Sequence, residues 1–290
     1  MQPNGSSNGI QLSSEQNPSR LVFNRVDRYI GRLAKTLAAE NVHRFRTNSR
    51  RVEAVLAQLA PETRNKKKLL KSLAKLRKKA GKLRDVDVQI AFLRELKVPD
   101  RQNHRAQLLE RLTEERMRRS RKLARAFDAE TVGELRKRLR RARAEAPLDG
   151  VDPLRSAFAC LPKPGAAPLS EKTLHACRIA AKQSRYLAEL ATNSADAKAF
   201  VAELKRAQDA VGEWHDVLKL RERAEQLFGS AHDSALVSVL QNISRARFRR
   251  AANALLGALG ALSELQRRSE PVLMRKNVAP DSQVQIAAVA

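Results

Sequence analysis

Aromatic side chains make up only 4% of this 290-residue chain, with one Trp and two Tyr. That scarcity argues against a reader of single-stranded nucleic acid, which stacks bases on aromatic platforms. Cysteine is equally sparse: Cys160 and Cys177 show neither CxxC nor zinc-type spacing. They fit reduced thiols in a helical core rather than a disulfide framework or a metal site. No apolar run approaches the ~18 residues that a membrane span needs. Residues 1–19, rich in Gln, Asn, Ser and Gly, lack the basic and apolar segments of a secretory signal. A cytoplasmic location is the expectation. Also missing are a phosphate-gripping GxxxxGK[ST] loop, a nucleophile elbow, a cluster of acidic metal ligands and an alternating ExExK-type strand. Binding without catalysis, cofactor or metal is therefore expected over phosphoryl transfer.

Acidic residues are the remaining shortage. Against 57 Lys plus Arg stand 31 Asp plus Glu, a formal net charge of +26. A field of that size points to a polyanionic partner: nucleic acid, polyphosphate or an acidic membrane surface. Glycine and proline are modest at 11 each, while Ala, Leu, Lys and Arg dominate, which favours helix throughout.

The apolar spacing predicts helices over 20–39, 42–60, 62–96, 101–127, 131–145, 154–161, 171–191, 195–228 and 233–268. Breaks fall at Pro61, Pro99, Pro147 to Pro153 and the proline- and glycine-rich linker Pro162 to Ser170, with Ser170 a plausible N-cap. Residues 1–19 and 269–290 read as tails.

Two of these helices carry basic residues in an unusual place. In the helix that begins VHRFRTNSRR, the core-facing stripe is Val42, Phe45, Ser49, Val52, Leu56 and Leu59. His43, Arg46 and Arg50 sit one position on, within an arc of about 60° on the border of that stripe. LHACRIAAKQSR repeats the arrangement: Leu174, Cys177, Ala181, Ser184 and Ala188 face the core, and His175, Arg178, Lys182 and Arg185 follow one position on. The correspondence extends further at an offset of 131 or 132 residues. Gly81 with Arg84-Asp85-Val86 matches Gly212 with His215-Asp216-Val217, and Arg116 to Arg119 match Arg247 to Arg250. An internal duplication follows, of four helical segments each: an all-α fold of two four-helix bundles related by a pseudo-twofold axis, the halves spanning 20–146 and 150–268. The matching cationic stripes are then free to line a shared groove.

The halves are unequal in charge. Val42 to Phe127 holds 26 Lys plus Arg against 9 Asp plus Glu, and Leu174 to Ala258 holds 13 against 9. Much of the excess lies between Arg64 and Arg84, where eight lysines, among them Lys75, Lys79 and Lys82, crowd one helix without an acidic residue. Like charges at i,i+4 cost a few tenths of a kcal/mol per pair, so such a helix suits an anion.

At His43-x-x-Arg46 with Arg50-Arg51, His175-x-x-Arg178-Ile179 with Lys182 and Arg185-Tyr186, and Gly81-x-x-Arg84-Asp85-x-Asp87-Val88, the chain resembles the CHAD domain (conserved histidine α-helical domain). The resemblance covers about residues 20–268. It implies two four-helix bundles around a basic channel that binds inorganic polyphosphate, with proteins of this kind collecting on polyphosphate granules. One departure is visible: Glu53 stands where the second half has Arg185, with Arg51 at a neighbouring angle as the substitute.

Polyphosphate carries charge at regular intervals and no bases, so it needs cations along a groove but no stacking surface. Arginine supplies forked donors and lysine a mobile point charge. The expected contacts are His43, Arg46, Arg50, Arg51, Lys75, Lys79, Lys82 and Arg84 in the first half, and His175, Arg178, Lys182, Arg185 and Tyr186 in the second. Arg116, Arg119, Arg247 and Arg250 are further groove candidates. Imidazolium donation by His43 and His175 predicts affinity rising as pH falls from about 8 to 6. Asp85, Asp87 and Asp216 read as partners that orient arginines, Trp214 as core, and Cys177 as no nucleophile. The alternative reading of the same charge is nonspecific nucleic-acid binding.

Overall fold

The computed structural model describes residues 18–99, 101–145, 152–162, 169–191 and 194–269, and all regular structure among them is α-helical. The helices are α1 (Pro18–Lys35), α2 (Ala39–Leu59), α3 (Arg64–Glu95), α4 (His104–Ala124), α5 (Ala129–Glu145), α6 (Pro153–Ala159), α7 (Glu171–Ala188), α8 (Ala195–Phe228) and α9 (Ala235–Ser269). The expected tails at 1–19 and 269–290 lie outside the described residues, apart from Pro18 and Ser19 in α1 and Ser269 in α9. The linker core, 163–168, lies outside them as well.

Local chemistry sets most of the starts. Thr63, Ser170 and Ser194 each accept a backbone N–H three residues on, and Asp152 accepts from Leu154 and Arg155. At Ser170 the cap is reciprocal: Thr173 Oγ1 accepts from the Ser170 backbone, closing a capping box. Helix α8 stops at Gly229, whose φ of 80° is left-handed; a Cβ there would lie 2.8 Å from Asp233 Oδ2. The α1–α2 junction falls at 36–38, a few residues before the break expected between 39 and 42, because Thr36-Leu37-Ala38 contains no glycine or proline to mark it.

Packing is ordered in parallel in the two halves. Helix α1 packs on α2, α2 on α3 and α3 on α4; α6 packs on α7, α7 on α8 and α8 on α9. Between halves, α2 packs on α7 and α3 on α8, so helices that match in the repeat meet each other. This arrangement is compatible with duplication about a pseudo-twofold axis. The α4–α5 pair of the first half answers to the single long α9, broken in the first case by the turn at 125–128.

The core joins the halves. One cluster sets Phe23, Val26 and Ile30 of α1 with Phe45 and Val52 of α2, Leu69 and Leu73 of α3, Leu187 of α7 and Phe200 of α8. A second cluster, at the far ends of both long hairpins, unites Val86, Ile90 and Leu93 of α3 with Leu108 and Leu112 of α4, Leu220 of α8 and Val237 and Leu240 of α9. Only the third, around Trp214, belongs to one half. Each fully buried Leu, Val or Phe contributes about 1.5–3 kcal/mol relative to exposure. Both mixed clusters therefore hold α2, α3, α7 and α8 in fixed register.

Candidate functional site: a cationic pocket between the halves

Where α2 and α7 cross beside α3, a pocket of about 640 Å³ opens. Helix α2 contributes Arg46, Arg50, Glu53, Ala54 and Ala57; α3 contributes Ala74, Arg77, Lys78 and Gly81. Helix α7 contributes Arg178, Ile179, Lys182, Gln183 and Tyr186. Six cations thus face one carboxylate. Phe45 and Val52 anchor one side of α2 in the core, which turns Arg46 and Arg50 onto the rim; Leu174 and Ala181 do the same on α7 for Arg178 and Lys182. The repeat offset makes Arg46 the counterpart of Arg178 and Arg50 the counterpart of Lys182, so two equivalent pairs share one cavity.

The electrostatics are those of crowded, half-dry cations. Burial lowers the Arg46 pKa, against the pull of Asp85, whose Oδ1 lies 3.4 Å from Arg46 Nη1. Burial also lowers that of Arg178, and Arg50 adds to the effect. The Arg178 Nε is buried and has no hydrogen-bond partner among the described residues. Lys182 is pulled down to about 6, first by burial and then by Arg178, Arg50 and Arg46, with Asp216 opposing. A lysine brought that low exchanges its proton near neutrality. Asp216 is itself pushed up by burial, with Arg178 working in the other direction. Glu53 is pushed up by burial and held by Arg77, with which it forms an ion pair. The single lining carboxylate is therefore already engaged.

Gly81 marks a close approach. A Cβ built there would meet the Arg46 guanidinium at 3.7 Å, an ordinary van der Waals distance, and α3 runs through the position unbroken.

The expected ligands divide into three groups. Arg46, Arg50, Arg178, Lys182 and Tyr186 line the pocket. A second group is engaged near its ends: Arg51 donates to Glu189 Oε2 at 2.6 Å, and Arg185 lies 3.7 Å from Glu189 Oε1. Both guanidiniums lie over the Tyr186 ring, at 5.7 and 5.2 Å from its centroid, so Arg51 and Arg185 share the same ring and the same carboxylate. The third group lies outside the lining. His43 is exposed, and its pKa is lowered by loss of solvent and then by Arg84. His175 is lowered by burial and then by Arg178, and its ring lies 5.1 Å from that of His215. His215 is held down to about 3, by burial first and Arg178 next. Lys75 and Lys82 are exposed on α3, and Lys79 is half-buried. Arg116 donates to Asp87 at 2.6 Å, and Arg119 to Glu115, which also binds Arg223 of the other half. Arg247 and Arg250 reach the Glu213 backbone and carboxylate respectively.

Arg77 and Lys78 were not among the expected ligands. Eight lysines on one helix conceal which face meets the pocket; Gly81, four residues after Arg77 and three after Lys78, lines it with them. Lys66, within the same crowd, is buried and committed: its Nζ donates to the Ala60 carbonyl and pairs with Glu62 at 2.6 Å. Trp214 is 1% exposed, inside the core. Among the described residues no group of three His, Cys, Asp or Glu could hold a metal, and no helix is long and apolar enough to cross a membrane.

An all-helical chain with a basic pocket between related halves is what these features define. A family model for the CHAD domain matches residues 20–225, and the chain belongs to that family. Among solved structures it is similar to PptA from Streptomyces chartreusis, with 17% identity and a TM-score of 0.58, covering 87% of this chain and 97% of that one. It is also similar to the CHAD domain from the plant Ricinus communis, with 19% identity and a TM-score of 0.55, covering 90% and 89% respectively. At such identities these likenesses bear on the fold. No curated protein matches the chain.

Proposed function

We propose that this protein binds inorganic polyphosphate in the pocket between α2, α3 and α7, without catalysing its turnover, and that it associates with polyphosphate granules in the cytoplasm. The observation that carries the reading is the convergence of six basic side chains on one cavity whose one carboxylate among the described residues, Glu53, is tied to Arg77. The cations are partly desolvated, which strengthens each contact to a phosphate oxygen relative to one made in water. Family membership supports the same assignment, since the resemblance to CHAD domains implies polyphosphate as the ligand. The lining carboxylate Glu53 is tied to Arg77, so the described lining offers no pair of carboxylates to hold a metal for phosphoryl transfer. The half-buried thiols Cys160 and Cys177 have pKa values raised by burial, which disfavours thiolate.

Competition between long-chain polyphosphate and single- or double-stranded DNA of equal charge, over a salt series, tests this directly. Polyphosphate should win at every salt concentration. Displacement by DNA at equal charge concentration would return the protein to the class of nonspecific polyanion binders. Arg46→Gln with Arg178→Gln should weaken polyphosphate binding at least tenfold, on the order of one decade for removing two charge-assisted hydrogen-bond donors.

A further inference from the structure

We infer that the exposed lysines of α3 form a rail that continues the pocket, so that the chain holds long polyphosphate at a second, extended subsite and short polyphosphate only in the pocket. This rests on the polyphosphate reading above. Lys67, Lys71, Lys75, Lys78 and Lys82 are all exposed. On a helix of 100° per residue they fall within an arc of about 80°, and Lys67 to Lys82 spans ~22 Å along the axis. Lys78 belongs to both features: it lines the pocket and is one of the five lysines of the stripe.

The stripe is also uncompensated. No Asp or Glu occurs between Arg64 and Arg84. Lys67 reaches Glu62 only at 3.9 Å, and Lys71, Lys75, Lys78 and Lys82 make no ion pair among the described residues. Neighbours at i,i+3 and i,i+4 therefore repel along its length, at a cost that a bound polyanion reverses. The opposite face of α3, with Leu69, Leu73, Leu76 and Leu83, is buried, so the helix cannot turn the lysines elsewhere. A solvated face kept for solubility would not need to be aligned with a pocket-lining residue. A linear anion that enters the pocket at Lys78 has a continuous run of cations to follow once it leaves.

The test compares tripolyphosphate with long-chain polyphosphate on the full chain. Lys71→Gln, Lys75→Gln and Lys82→Gln together should weaken the long chain about tenfold and reduce its salt slope by about 2, at ~0.7 for each phosphate of a single strand no longer neutralised. Tripolyphosphate should bind as before. The equal-charge control is Lys172→Gln, Lys198→Gln and Lys205→Gln, all exposed on α7 and α8. It should leave long-chain binding within about twofold of the parent. If the control weakens the long chain as much, or the rail variant weakens both ligands equally, the effect is diffuse charge and the rail is overturned. No loss for the rail variant makes the stripe a solvated face and overturns it too. The underlying reading fails separately: Arg46→Gln with Arg178→Gln would then leave tripolyphosphate binding intact.

Discussion

Two positions that the repeat makes equivalent have opposite chemistry. In the first half Glu53 pairs with Arg77 at the pocket wall; in the second, the counterparts are Arg185 and Gln208. Arg185 turns to Glu189, and Gln208 is buried and donates to the Ala181 carbonyl at 2.7 Å. The contrast continues at the far side of the site, where Arg84 stands opposite His215 and Asp87, the partner of Arg116, opposite Leu218. The matching helices α2 and α7 form two similar walls, yet of the matching pair α3 and α8 only α3 adds cations to the pocket. Its counterpart α8 turns a tryptophan and a polar amide into the core instead. The first half thus gives the pocket four of its six cations and the second gives two, while α8 spends its matching positions on the core.

The largest expected effect tests whether that interior is continuous. Leu220 of α8 is 1% exposed and packs in the cluster that includes Val86, Ile90, Leu108 and Leu112 of the first half. Leu220→Ala should cost about 2–5 kcal/mol, the range for a large-to-small change in a well-packed core. The sole tryptophan, Trp214, reports on the second half, whereas helical circular dichroism reports on both. Urea transitions by the two probes should coincide in the parent and in the variant. A fluorescence transition that precedes the loss of helix would separate the halves and break the comparison at its base.

Next in size is Glu53→Gln. It releases Arg77 from its ion pair and gives the first-half wall a further free charge. One unit charge a few ångströms from a phosphate in a wet site is worth ~1 kcal/mol, or about fivefold tighter binding. Because the pair is partly buried, stability should fall by about 1–3 kcal/mol at the same time. Unchanged affinity would mean that Arg77 serves the wall and not the ligand.

Much of this site is legible as spacing. Arg46, Arg50, Arg178 and Lys182 stand out because each borders an apolar stripe, and the common offset places them on related helices. What spacing cannot supply is the azimuth of α3. The helix is basic over so many positions that Lys75, Lys79 and Lys82 are as plausible as Arg77 and Lys78. Only the packing of Leu69, Leu73 and Leu76 against other helices decides among them. Arg51 and Arg116 illustrate a second limit. Sequence shows a cation but not the carboxylate from a distant helix that engages it, as Glu189 does for Arg51 and Asp87 for Arg116. The histidines show a third. Their place beside arginines suggests imidazolium, but loss of solvent first, and then Arg84 for His43 and Arg178 for His175, lowers both pKa values and disfavours the charged form.

That last point moves the pH dependence from the histidines to Lys182, and to the difference between Arg50 and its counterpart. Lys182 faces Arg46, Arg50, Arg178 and Asp216, and its pKa is about 6. A bound polyanion favours the ammonium form, so binding near pH 7 to 8 takes up a proton and affinity rises as pH falls toward 6. Calorimetry in buffers of different ionisation enthalpy should detect that uptake, and Lys182→Gln should remove most of it, whereas Arg50→Gln should weaken binding at all pH values. The folding equilibrium carries the opposite sign. The unfolded chain has an ordinary lysine, ~10.4, so between that value and about 6 it binds more protons than the native state, and stability declines as pH drops through the window. Lys182→Gln should flatten this decline. Proton uptake that survives the substitution would assign it to His43 or His175.

The smallest expected effect compares the two glycines of the repeat. A methyl at Gly212 would meet nothing within 4 Å, whereas at Gly81 it would lie 3.7 Å from the Arg46 guanidinium. Both positions are interior to helices, so each glycine-to-alanine change should stabilise the chain by up to about 1 kcal/mol. Gly212→Ala should leave polyphosphate affinity untouched. Gly81→Ala places a methyl beneath the arginine without forcing it away, so affinity should stay within about twofold of the parent, in line with changes that create no clash. The difference between the two variants isolates what Arg46 needs from the bare surface of α3. A loss confined to Gly81→Ala, with stability gained as at Gly212, would mean that the guanidinium moves into that space when the anion binds. The missing side chain would then belong to the site itself and not merely to the packing around it.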